Sequence, residues 1–392
     1  MSSDPQKQSL SKPGSPLRWA RGRLLVIACS ALVLAVSAIL SRFPSQVEQY
    51  YCDGMGAALS RSLGLLTAIT DQSLAEWMVA GVLMWLAAMG ALGWRRLRQR
   101  RQTWRRTLLS GLLHLGALSA AAAALFYFLW GLNYSRPPLI ERMGWQQWDR
   151  VPPSDEAWHE LERVGTRLVE LSNQAYRRAH GGVEWRPNWS HLGRQEIDAQ
   201  LEEAYSRLAA KLDLPRRWSL PHGPAKPLRA SLLTSYLGIS GIYFPWTGEA
   251  NFNHMVPQYQ LPHIIAHEKA HQRGIAGEDE ANFFGFLACL ESRHPYVRYS
   301  GLVFAQRQLI NEIYRRNPHL ARRLVSQRLP AVRRDIEEAG RFWRQFEGPA
   351  SKVGEAVNDS YLRLHGVREG IASYSLSTRL ILVYLRQNGG RL

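Results

Sequence analysis

His267, Glu268 and His271 stand in the spacing HExxH, within the run His267-Glu268-Lys269-Ala270-His271. Residues four apart in an α-helix share one face, so both imidazoles can reach a single ion. Glu268 follows the first histidine and can take a proton from a water held at that ion. Zinc ions that do chemistry keep three protein ligands and leave a fourth position for water or substrate. The motif therefore supplies two ligands and a base, and a third ligand has to come from elsewhere.

The flanking residues predict the elements that would bring it. Pro262 suits a helix start, and Ile264, Ile265 and Ala266 form an apolar lead-in. Gly274 suits the left-handed residue that closes a helix, and Gly277 loosens the turn further. Glu278-Asp279-Glu280 then give a second helix the acidic first turn its dipole favours. Its continuation from Ala281 to Leu290 is apolar and expected in the core. Glu278 is the expected third ligand, with Glu280 as the alternative. The metzincin pattern HExxHxxGxxH is disfavoured, because Gly277 occupies the position of its third histidine. His263, one turn before His267, is expected as a partly exposed first-turn histidine rather than a ligand. HExxH also arises by chance; the helix start before it and the acidic start after it favour chemistry here.

The formal net charge of +17 would suit nucleic acid if it covered one soluble face, and it does not. Residues 1–23 contribute +4 and Arg95–Arg106 contribute +7, while residues 107–306 hold 19 basic and 19 acidic side chains. The basic excess flanks apolar runs. Leu24–Leu40, Trp77–Trp94 and Leu108–Leu132 lack charged residues over 17, 18 and 25 positions, enough to cross a hydrocarbon core as helices. Basic residues gather on the cytoplasmic side of such spans. That predicts a cytoplasmic tail over 1–23, a cytoplasmic loop over 95–106, an external loop over 41–76 and an extracytoplasmic domain after the third span. The first run, with Val36-Ser37-Ala38 as a weak cleavage site, is read as an uncleaved anchor rather than a signal peptide. Cys29, Cys52 and Cys289 form no disulfide framework.

Beyond the membrane region of 24–134, residues 135–153 are rich in proline and tryptophan and read as a linker, and 154–392 as one domain. Trp158, Leu161, Val164, Leu168 and Leu171 recur at helical spacing after a start at Ser154, as do Ile197, Leu201, Tyr205, Leu208 and Leu212. Residues 215–260 carry short β-prone pieces, notably Ser231–Leu237 and Gly241–Trp246. Ile239–Phe244 is a candidate edge strand for an extended peptide. Ten arginines against four acids over 301–346 read as a solvated helix face. The expected fold is mainly α: three N-terminal transmembrane helices, then a mostly helical domain with a small β-sheet beside the HExxH helix.

Four segments together carry a family resemblance: Trp130-Gly131-Leu132-Asn133-Tyr134, Gly241-Ile242-Tyr243-Phe244-Pro245, Thr247-Gly248-Glu249-Ala250-Asn251, and His267 to Phe283. The chain resembles bacterial membrane proteins grouped as domain of unknown function 3810, a resemblance that covers nearly its whole length and brings no established activity. It is more distantly similar to membrane gluzincins, zinc peptidases that pair HExxH with a later ExxAD. Glu278, Ala281 and Asn282 match that second motif, which implies Glu278 as the ligand and a zincin-like domain. Asn282 stands where the family has an acid, so an amide would support a ligand histidine.

These readings predict a zinc metallopeptidase of the bacterial cytoplasmic membrane, with Glu268 as base and His267, His271 and Glu278 holding Zn2+. Tyr243, His254 and Tyr374 are candidates for an oxyanion or substrate contact. Expected partners are the lipid bilayer and a polypeptide substrate, with no nucleic acid. The rival reading is a non-catalytic envelope protein whose zinc only staples the domain. Hydrolysis of a non-peptide bond is a third.

Overall fold

A computed structural model describes residues 20–150, 154–182, 184–185, 192–364 and 376–392. Helices dominate, with one three-stranded sheet. The helices in the first half are α1 (Arg21–Leu40), α2 (Pro44–Gln46), α3 (Gly56–Thr67), α4 (Leu74–Arg98), α5 (Trp104–Leu129), α6 (Leu139–Arg142), α7 (Ser154–His180) and α8 (Arg194–Lys211). Then come β1 (Lys226–Leu228), α9 (Ser231–Tyr236), β2 (Gly241–Phe244), β3 (Glu249–Asn253), α10 (Leu261–Gln272) and α11 (Glu278–Glu291). The chain closes with α12 (Pro295–Arg316), α13 (Pro318–Ser326), α14 (Pro330–Arg344), α15 (Pro349–Leu364) and α16 (Ser377–Gln387).

The chain forms two compact units. One comprises residues up to Ile39 together with Gly81–Phe128. It holds α1, α5 and most of α4, three helices long and apolar enough to cross a membrane. At 1.5 Å per residue, 20 residues or more reach about 30 Å, the thickness of a hydrocarbon core. Apolar side chains such as Leu25, Leu32, Leu83 and Leu112 point outward, as a lipid solvent requires.

The second unit joins residues 40–80 to 129–392. Its core is helical: Leu168, Val169 and Tyr176 of α7 meet a layer with Tyr296, Val297 and Val303 of α12 and Phe283, Phe286 and Leu287 of α11. Gly301 lets α12 approach α11, since a Cβ there would stand 2.4 Å from that of Cys289. α16, too short to span a bilayer, buries Leu380, Ile381, Val383 and Tyr384 in the same core. β3 is the central strand, parallel to β1 and antiparallel to β2, with Tyr243 opposite Ala250. This leaves β2 at an edge.

Three local expectations change. The segment between the first two spans, expected as a loop, carries α2, a π-helix over Val47–Met55 and α3, and it packs on the sheet and on α10. Residues 231–236, read as β-prone, form α9. Six residues are too few for a periodic signal; tertiary bonds support the helix, with Glu76 accepting the amides of Arg229 (2.9 Å) and Ala230 (2.8 Å) just before it. Over residues 135–150 of the expected linker, Leu139 and Trp145 enter the core, so this stretch is packed through α6 and a short 3-10 turn over Gln146–Trp148.

Candidate metal centre

α10 begins at Leu261 with Pro262 in its first turn, where the missing amide costs nothing. Ile265, Ala266 and Ala270 are fully buried and fix its inner face. His267 and His271 therefore share another face, their rings edge to face at 4.7 Å. Gly274 closes the turn at φ +82°, which suits only glycine without strain. Gly277 leads into α11, whose first residue is Glu278. Two turns along α11, Gly285 lies against His267, where a Cβ would be 3.1 Å from the His267 nitrogen. That close crossing brings Glu278 back over the histidines.

The three side chains converge. His267 Nε2 and His271 Nε2 are 3.0 Å apart, and Glu278 Oε2 lies 3.1 Å from the first and 3.8 Å from the second. Four tetrahedral ligands at zinc–nitrogen distances would be separated by about 3.3 Å, so the donor set fits one such ion. The proton bookkeeping favours a cation too. His271 Nδ1 donates to the Ile275 carbonyl at 2.6 Å, and His267 Nδ1 faces Asn282 Oδ1 at 3.0 Å. With the ring protons held there, both Nε2 atoms and the carboxylate oxygen would be acceptors only, so their convergence calls for a cation among them, which a proton on Nε2 or a metal ion can supply. Burial works to lower the His271 pKa, but the hydrogen bond and charge of Glu278 outweigh it and raise it to about 9. Glu278 is in turn held well below the usual carboxylate range by both histidines, against the effect of its burial.

Glu268 sits beside the two histidines on the flank of α10 that faces β2. Burial raises its carboxyl above the ordinary range, while the charges of both histidines and the Tyr243 amide oppose the shift. A Cβ on Gly241 would stand 2.4 Å from Glu268 Oε1, so glycine is what makes room for this side chain. Glu268 Oε2 is buried and has no hydrogen-bond partner among the described residues. An unpartnered buried carboxylate oxygen beside a cation-seeking cluster is chemically consistent with a base awaiting a water.

Other expected residues lie around this centre with different commitments. Glu280 turns to α6, accepting the Leu139 amide at 2.8 Å and pairing with Arg142. Tyr243 is buried and its hydroxyl meets Ser60 Oγ at 2.8 Å. His254 is exposed, with Nδ1 2.8 Å from both the Leu228 carbonyl and Ser231 Oγ. Tyr374 lies outside the described residues. His263, expected partly exposed, is buried and stacked on Phe304 at 3.6 Å, because α12 covers this turn of α10.

Sequence reasoning missed the frame that holds α10. Trp130 donates its indole N–H to the His271 carbonyl at 3.1 Å, and Ser60 Oγ donates to the Gln272 carbonyl at 2.9 Å. Lys269 is completely buried yet paired with Asp198 (2.8 Å) and Glu202 (2.7 Å), while Arg273 meets Glu202 at 2.7 Å. These two cations hold the Glu202 carboxyl at about 2 despite the opposing effect of burial. Lys269 and Arg273, four apart in an apolar helix, were the available signal, since buried cations demand partners.

Fold and centre together define a mainly helical protein with three helices able to cross a membrane and a two-histidine, one-carboxylate cluster between α10 and α11. The chain belongs to the family described as Protein of unknown function (DUF3810), whose model matches residues 51–382. No curated protein and no solved structure matches it.

Proposed function

We propose that the protein is a zinc-dependent metallopeptidase anchored in the bacterial cytoplasmic membrane, with a zincin-like domain on the outer side. The observation that carries this reading is the convergence of His267, His271 and Glu278 beside the buried, half-unpartnered carboxylate of Glu268. Zinc held by those three ligands would act as a Lewis acid toward water and the scissile carbonyl. Glu268 takes the proton of the attacking water and returns it to the leaving amine; a carboxyl raised by burial suits both transfers. Asn282 and the Ile275 carbonyl keep both ring protons on Nδ1, which frees Nε2 of each histidine for the ion. β2, an edge strand beside Glu268, offers backbone groups to an extended polypeptide. Tyr243, His254 and Tyr374 remain candidates for the oxyanion donor.

The topology rests on the charge distribution. The Arg-rich 95–106 and the basic tail favour the cytoplasm. Residues 40–80 and 129–392 fold as one unit, which suits a chain whose first loop and main domain share the outer side. Substrates are then segments of membrane or envelope proteins, or cell-wall peptides. Glu268→Gln tests the chemistry against a stapling role for zinc. It should bind zinc as the parent chain does and lose cleavage in a peptide screen. Normal behaviour of Glu268→Gln, with unfolding of His267→Ala, would mean that the metal is structural.

A further inference from the structure

The second unit exposes an apolar face that a soluble domain would cover. On α9, Leu232 and Leu233 are 54% and 61% exposed; on α15, Val353 and Val357 are 59% and 64% exposed. Val353, Val357 and Tyr361 are four apart and form one stripe on a 16-residue helix. The two helices are joined. Gly354 of α15 approaches Leu237 at the end of α9 so closely that a Cβ would meet its carbonyl oxygen at 2.3 Å. Tyr236 also packs edge-on to Phe346, just before α15, at 5.1 Å.

Both ends of this face are tied to residues where spans begin or end. At the α9 end, Glu76 caps the backbone of Arg229 and Ala230. Glu76 lies in the first turn of α4, which continues as an apolar span. At the α15 end, the hydroxyls of Tyr361 and Tyr134 are 3.3 Å apart. Tyr134 follows the last residue of the α5 span, Leu129, by one short turn.

We propose that the outer face of α9 and α15 rests in the headgroup region of the bilayer as an interfacial amphipathic surface. Its apolar stripe enters the acyl boundary, and the exposed Lys352 flanking it faces lipid phosphates, while Arg363 on the same flank pairs with Asp359 at 2.7 Å. A few residues after α9 the chain enters β2, with Ile242 exposed on the edge strand. On the peptidase reading, on which this last step rests, the enzyme takes polypeptides whose cleaved segment lies just outside their own membrane span.

Nitroxide accessibility on the full chain in phosphatidylethanolamine–phosphatidylglycerol vesicles tests the lipid contact without needing any cleavage. Labels are placed by Leu233→Cys and Val357→Cys in a Cys29→Ser background, Cys52 and Cys289 being buried. Oxygen should relax both labels several-fold more than a water-soluble nickel chelate does, as for Leu83→Cys in α4. Preference for the chelate, as at the exposed Arg322→Cys, would overturn the proposal. So would exclusion of both reagents, which would mean that a second copy or another protein covers the face. For the substrate class, Val357→Asp should slow cleavage of a membrane-tethered substrate several-fold and leave its soluble form unchanged. Equal effects on both would overturn that assignment. Absence of any Glu268-dependent cleavage would remove the peptidase reading and leave the accessibility result standing.

Discussion

Asn282 Oδ1 lies 3.0 Å from His267 Nδ1, so α11, which brings Glu278 to the cluster, also supports one of its histidines. The contact holds the imidazole in one tautomer and one orientation. Loss of such a support typically lowers metal affinity by about 10–100-fold. Asn282→Ala should do so in a competition titration with a chromophoric chelator. Asn282→Asp, which restores an acceptor with a full charge, should bind zinc at least as tightly as the parent chain. Unchanged affinity in Asn282→Ala would show that the ring is oriented by something else.

Gly241 and Glu268 make a second testable pair. An added Cβ at 241 would overlap the carboxylate at 2.4 Å, and it belongs to strand backbone that cannot easily move. The side chain that gives way is Glu268. Displacement of a catalytic group by about 1 Å can cost on the order of 100-fold in rate. On the proposed peptidase reading, Gly241→Ala is therefore expected to bind zinc as the parent chain does and lose kcat by about that factor, with a smaller change in KM. Full activity with metal bound would remove Glu268 from the position assigned to it.

What the sequence disclosed follows from how local each feature is. His267, His271 and Glu278 lie within twelve consecutive residues, and Gly274 announced the reversal that unites them. The helices α7 and α8 were legible because their apolar residues recur at helical spacing over many residues. Segment 41–76 was opaque for the opposite reason. Its partners lie far along the chain: Ser60 meets Tyr243 and Gln272, and Lys226 bonds to the Thr67 carbonyl. A π-helix over Val47–Met55 also breaks the 3.6-residue period that would have revealed it. His263 was misjudged because Phe304, which covers it, belongs to another helix.

Lys226 and Glu249 form an ion pair of 2.5 Å with side chains 2% and 1% exposed. Glu249 also accepts the amides of Leu74 (3.1 Å) and Ala75 (2.7 Å), which ties β3 to the first turn of α4. Removal of one partner leaves the other charge buried and unpaired, a loss of about 3–5 kcal/mol. Glu249→Ala should show a destabilisation of that order in denaturant unfolding of the detergent-solubilised chain. The double variant Lys226→Met/Glu249→Ala should recover part of it, because no isolated charge remains. If both variants lose equally, the capping of α4 matters more than the pairing.

His263 gives the acid side of the stability curve a definite sign. Burial, then the charge of His267, pushes its pKa from 6.5 down to about 3, with the Asn282 backbone opposing weakly. Below pH 6.5 the unfolded chain binds a proton at this histidine that the folded chain refuses. The stabilisation is thus complete above 6.5 and is lost as pH falls from there toward 3. One such group changes stability by about 1.4 kcal/mol per pH unit, on the order of 2–3 kcal/mol between pH 6.5 and 4.5. His222, also buried and shifted well below its ordinary value mainly by that burial, acts in the same direction. His263→Phe keeps a ring against Phe304 and removes the titration. Its unfolding free energy should therefore fall less steeply with acid than that of the parent chain, by about one proton's worth of slope. Parallel curves for the two proteins across this window would show that His263 takes up its proton without unfolding.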